Sequence, residues 1–107
     1  MFDLTLPNIT FITEGVLDYT RKNNPAVFSY RHDVDVKEWL VKQSFEYKRG
    51  EVVGVNAEPG PLTLALQQGQ PILIYDLDKC PDSEVMEMIE EEIICHPEIQ
   101  FAFAVSA

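Results

Sequence analysis

The sequence predicts an α/β fold, three-layered, with a largely parallel sheet of about five strands. Three observations carry this expectation. Short apolar or β-branched runs alternate with helical patterns along the chain. Two of the runs, "PILIYD" and "IQFAFAVSA", are apolar on consecutive residues, the mark of strands covered on both faces. Between them lies "PDSEVMEMIEEEIICH", the clearest helical pattern in the chain.

The elements follow in order. "NITFI", residues 8–12, reads as a first strand. "TEGVLDYTRKNN" is a helix with Val16, Leu17 and Tyr19 as apolar positions, stopped at Asn23-Asn24-Pro25. "AVFSY" (26–30) is a second strand. "DVDVKEWLVKQ" (33–43) predicts a helix capped by Asp33 or Asp35, with Val36, Trp39, Leu40 and Gln43 on one face. In "FEYKRGEVVGV" (45–55), Phe45, Tyr47, Val53 and Val55 alternate with polar or small residues around Arg49-Gly50, which predicts a small hairpin insert. "EPGPLTLALQQG" places Pro61 at a helix start, Leu62, Ala65 and Leu66 on one face, and Gly69 as a stop. Pro81 and Asp82 open the next helix, in which Val85, Ile89 and Ile93 share a face. No repeat or linker interrupts the pattern, so residues 1–107 read as a single α/β domain.

Composition narrows the function classes. Eight Lys plus Arg face eighteen Asp plus Glu, a formal net charge of -10. Such a chain is repelled by DNA, RNA and anionic membranes, so direct nucleic-acid and membrane partners are not expected. There is no apolar run long enough for a membrane span. The opening "MFDLTLPNIT" shows neither a basic start nor a cleavage pattern, and the expected location is cytoplasmic. Cys80 and Cys95 form no close pair and read as reduced, mostly buried thiols. His96 beside Cys95 falls short of a zinc set.

From residue 26 onward the order of elements resembles part of the AAA+ ATPase core, in its MoxR and McrB-like branch. "GPLTLALQQGQPILIYDLDKCP" resembles the family's Gly-Pro-Leu, short helix, apolar strand, acids and proline. "SEVMEMIEEEI" sits where the helix after the Walker B strand belongs, and "IQFAFAVSA" resembles the strand that carries the sensor residue. The hairpin falls where this branch carries an insert. The resemblance implies that "NITFI" lies beyond "FAFAV" and that "PILIY" lies between "FAFAV" and "AVFSY".

The catalytic parts of that family do not follow. Aligned on Pro81, Tyr75 stands where the Walker B Asp belongs and Asp76 where the Glu belongs. A phenol cannot replace the carboxylate that supports a magnesium shell. A shift by one residue puts Asp76 on the metal position and Leu77 on the catalytic one. A phosphate loop needs G-x-x-x-x-G-K-[ST]. "TEGVLDYTRKNN" offers Gly15, with Glu14 and Asp18 placed to repel phosphate. The expectation is a nucleotide-free core without catalytic, cofactor or metal residues.

A non-enzymatic interaction module, adaptor or inhibitor, is therefore the leading functional expectation, and the resemblance implies an AAA+ ATPase as its partner. Small size and acidity suit a phage or mobile-element protein. The alternative is an acidic nucleic-acid mimic that inhibits a basic DNA- or RNA-binding protein. Glu84, Glu87, Glu90, Glu91 and Glu92 are the candidate binding carboxylates for it. Trp39, the lone tryptophan, is either core packing or a partner anchor. A third reading gives "YRHDVD" a catalytic role through His32, with Asp76 as its acid partner. Capping explains the acids there more simply.

Overall fold

The computed structural model describes residues 6–105. Among them, strands β1 (Ile9–Ile12), β2 (Ala26–Ser29), β5 (Ile72–Tyr75) and β6 (Phe101–Ala104) form one parallel sheet in the order β1-β6-β5-β2. A separate two-stranded antiparallel sheet is made by β3 (Val41–Lys48) and β4 (Glu51–Pro59). The helices are α1 (Val16–Asn23), α2 (Pro61–Gln67) and α3 (Ser83–Cys95). No helix among the described residues is long and apolar enough to cross a membrane. Ser106 and Ala107, included in the expected last strand, lie outside the described residues.

β5 and β6 are adjacent, parallel and central, as their unbroken apolar runs predict. The strand order is also the expected one. The main sheet has four strands, however, not about five, and the hairpin forms a two-stranded sheet of its own.

The sheet has a different core on each face. On one, Phe28, Ile72, Ile74, Phe101 and Phe103 pack with Leu62 and Leu66 of α2 and Val85, Ile89 and Ile93 of α3. On the other, Ile12, Leu73, Ala102 and Ala104 meet Val16 and Tyr19 of α1. The first face takes large side chains and the longest helix. The second is a smaller cluster, two of its four buried residues being alanines, and is covered by a helix with no fully buried residue.

Local chemistry sets the boundaries. Asp82 caps α3 by accepting a hydrogen bond from the Glu84 N–H at 2.9 Å, so the helix begins at Ser83, just after the expected Pro81-Asp82 start. α2 ends in a Schellman arrangement. Gly69, at φ 71°, donates to the Leu66 carbonyl at 3.1 Å, and Gln70 donates to Ala65 at 3.0 Å. Asn8 is buried, and its amide donates to the carbonyls of Ile93, His96 and Ile99 at 3.0 to 3.1 Å. One side chain thereby joins the start of β1 to the end of α3 and the loop before β6.

The helix expected over 33–43 is corrected. Only a 3-10 turn forms, Val36–Trp39, capped by Asp35 through the Lys37 N–H at 3.0 Å. Val36 and Trp39 are buried as the pattern requires, since residues three apart share a face of a 3-10 turn. The chain then leaves the helical path. The Leu40 carbonyl accepts from Gly60 N–H at 2.9 Å and from the Thr63 hydroxyl at 2.8 Å. From Val41 onward the residues pair with β4 instead.

Candidate protein-interaction surface

The carboxyl-end rim of a parallel sheet is where α/β proteins usually hold ligands. Tyr75 lies in register with Ala104 and packs with the core on the α1 face. Asp76 follows in the left-handed region, φ 58°. Its backbone N–H donates to the Ala104 carbonyl at 3.2 Å, and its carboxylate lies 3.4 Å from the Lys79 ammonium. Asp76 therefore turns the chain out of β5 and engages its own loop. Between β1 and α1 only Thr13, Glu14 and Gly15 intervene, with Gly15 at φ 77° capping the helix. That connection is too short to wrap a phosphate, and Glu14 sits in it. Addition of millimolar ATP and magnesium is therefore expected to leave the melting temperature unchanged in a thermal-shift assay. A nucleotide-dependent rise would show binding to the native state and would contradict this description of the rim.

The other singled-out groups are scattered. His32 is exposed, with its ring edge-on to Tyr30 at a centroid distance of 6.0 Å. The Tyr30 phenol is held above its ordinary value of 10.0, first by desolvation and then by Cys80 and Asp82 beside it. It remains a hydroxyl donor at neutral pH. The expectation of mostly buried thiols is corrected: Cys80 is half-buried and Cys95 exposed. At the end of α3, His96 Nδ1 lies 3.0 Å from the Glu92 carbonyl and 3.6 Å from the Glu92 carboxylate, a helix-end contact. No group of His, Cys, Asp and Glu suited to a metal ion occurs among the described residues.

The unusual surface is the hairpin. Arg49 (φ 55°) and Gly50 (φ 79°) both lie in the left-handed region, which makes the type I′ turn that matches strand twist. The pairing register sorts the side chains onto two faces. One carries Lys42 opposite Glu58, Ser44 opposite Asn56 and Lys48 opposite Glu51. The other carries Val41 opposite Pro59, Gln43 opposite Ala57, Phe45 opposite Val55 and Tyr47 opposite Val52. Every residue of β3 is exposed, including Phe45 at 50% and Tyr47 at 65%. Val55 is 57% exposed, and Val53, at the register shift, is 60% exposed. The ribbon's main contacts with the domain are at its root, to the 3-10 turn and to α2. The molecule measures 53 × 29 × 25 Å.

At the root, Val41 and Phe45 line a groove with Leu40 and with Met88 of α3. The apolar face of the ribbon is thus turned toward the outer side of α3. There Glu84, Glu87 and Glu91 surround Met88. Glu90 joins Glu87 and Glu91 beside Ile94 on the next stretch of α3, away from Met88, and Glu92 does not continue that row. Glu90 and Glu92 are both partly buried on the flanks of α3, and Glu92 is engaged with His96. Trp39 is 8% exposed and packs against Phe28 with its ring tilted, 5.2 Å between centroids, which places it in the core and away from this surface.

No family model, characterised protein or solved structure matches the chain. The surface must therefore be read from its own chemistry. Sequence reasoning located the hairpin and the glutamates but missed the apolar face of the ribbon as a functional feature. The signal was the alternation Phe45, Tyr47, Val55. Alternation identifies an amphipathic ribbon without saying whether the rest of the domain covers it.

Proposed function

We propose that this chain is a non-enzymatic protein–protein interaction module, an adaptor or inhibitor, that docks through the apolar face of its hairpin. The observation that carries this reading is the uncovered face of Val41, Phe45, Tyr47, Val52 and Val55. A lone two-stranded ribbon is marginally stable in water, and a contiguous exposed apolar patch marks an interaction site. An AAA+ ATPase is the partner class we place first. That choice is supported by the β1-β6-β5-β2 order, which the AAA+ resemblance implies, and by the hairpin's position between β2 and α2. A cytoplasmic location accords with such a partner.

Affinity capture from the native host, read by mass spectrometry, tests this. The wild-type chain is expected to retain an ATPase that the double variant Phe45→Ser, Val55→Ser loses. A partner retained equally by both would contradict docking through the hairpin. The row Glu84, Glu87 and Glu91 favours one second reading, an acidic decoy for a basic nucleic-acid-binding protein. In that case reversal of these residues to Lys, with the hairpin intact, would release a nuclease or polymerase.

A further inference from the structure

Resting on the interaction reading above, we propose that the trough between the hairpin and α3 receives a cationic amphipathic helix of the partner. The trough has two unlike walls. Val41 and Phe45 of the ribbon, with Gln43 between them and Leu40 and Met88 at the base, make a mainly apolar wall. Glu84, Glu87 and Glu91 of α3 make an acidic one beside it. Asp35 and Glu38 add carboxylates at the root, and the cation lining it, Lys37, is already 3.8 Å from Glu84.

Charge selects the occupant. Within the hairpin, Lys42, Lys48 and Arg49 balance Glu46, Glu51 and Glu58, so the net charge of -10 resides on the rest of the chain. A second copy would bring the same excess of carboxylates. Nucleic acid is repelled for the same reason. Geometry then selects the shape. Neighbouring apolar and acidic walls need an apolar stripe and a basic stripe side by side on one occupant. A helix presents both at once. An extended peptide sends alternate side chains to opposite faces and satisfies one wall only. The ribbon's share of the trough, Val41 to Phe45, is about 16 Å long, the length of about 11 helical residues.

Three labelled peptides of about 18 residues test the idea by fluorescence anisotropy. One has Leu and Lys at helical spacing, one has the same composition in strict alternation, and one has Leu and Glu at helical spacing. The helical Leu/Lys peptide is expected to bind, more weakly as salt rises. Phe45→Ser and Glu87→Lys are each expected to weaken it at least about tenfold, a loss of about 1.4 kcal/mol. Both residues are exposed, so the variants are expected to keep the wild-type melting curve. Equal binding of the alternating peptide, binding of the Leu/Glu peptide, or indifference to Glu87→Lys would overturn the proposal. So would a dimer that Phe45→Ser dissolves, since the occupant would then be a second copy. Capture from the host separates this proposal from the reading it rests on. A partner lost on Phe45→Ser but not on Glu87→Lys overturns the cationic helix and leaves docking through the hairpin standing. A capture profile indifferent to Phe45→Ser removes both.

Discussion

Ile74→Asp is expected to abolish the folded state. Ile74 is 1% exposed at the centre of β5, paired with Phe28 on one side and Phe103 on the other, beneath α2 and α3. The substitution removes a buried aliphatic side chain, worth about 2–5 kcal/mol. It also leaves a carboxylate without a cationic partner in that core, which costs several kcal/mol more or forces its protonation. Together these match or exceed the whole stability of an ordinary domain, about 5–15 kcal/mol. Circular dichroism should show no cooperative thermal transition. A variant melting within a few degrees of the wild type would mean that β5 is not central.

Gly60→Ala is expected to be the most damaging of the small substitutions. Gly60 has φ -75° and ψ 175°, an ordinary extended conformation, so backbone strain is not the cause. A methyl group there would run into the backbone carbonyls of Glu38 and Trp39. Those groups belong to the 3-10 turn, which cannot yield as a flexible side chain can. The bonds from Gly60 N–H and the Thr63 hydroxyl to the Leu40 carbonyl would open with it. The expected loss is about 3 kcal/mol, or a fall of about 15 °C in melting temperature for a domain of this size. Gly54→Ala is the control. Its nearest neighbour is the flexible Glu46 carboxylate at 3.3 Å, and it should change stability by less than about 0.5 kcal/mol. Similar losses for both variants would contradict the close packing at the hairpin root.

Much of the fold was legible from residues alone. The consecutive apolar positions of β5 and β6 required a central parallel pair, and both strands are buried on both faces. Arg49-Gly50 between alternating apolar residues announced the hairpin and its turn. The register of 33–43 was not legible. Val36 and Trp39 satisfy a helix and a 3-10 turn equally, and Leu40, which the helix would have placed on the same face, bonds instead to residues some twenty positions away. Asn8 gave no signal either, because its three carbonyl partners come together only once α3 and β6 are in place. The candidate surface was half legible. The glutamates of α3 were visible as charges, and the ribbon as an alternation. Their apposition across Met88 is tertiary, and no local pattern encodes it.

On the proposed reading, the apolar face of the hairpin is covered by another protein. Site-specific photo-crosslinking in the native host tests it most directly. A photoreactive phenylalanine analogue is placed at Phe45 or Val55 on the apolar face, and at Glu46 or Ser44 on the polar face. One partner band is expected from Phe45 and Val55, suppressed when Tyr47→Ser is added, and none from Glu46 or Ser44. Equal crosslinking from both faces, or none from either, would contradict it.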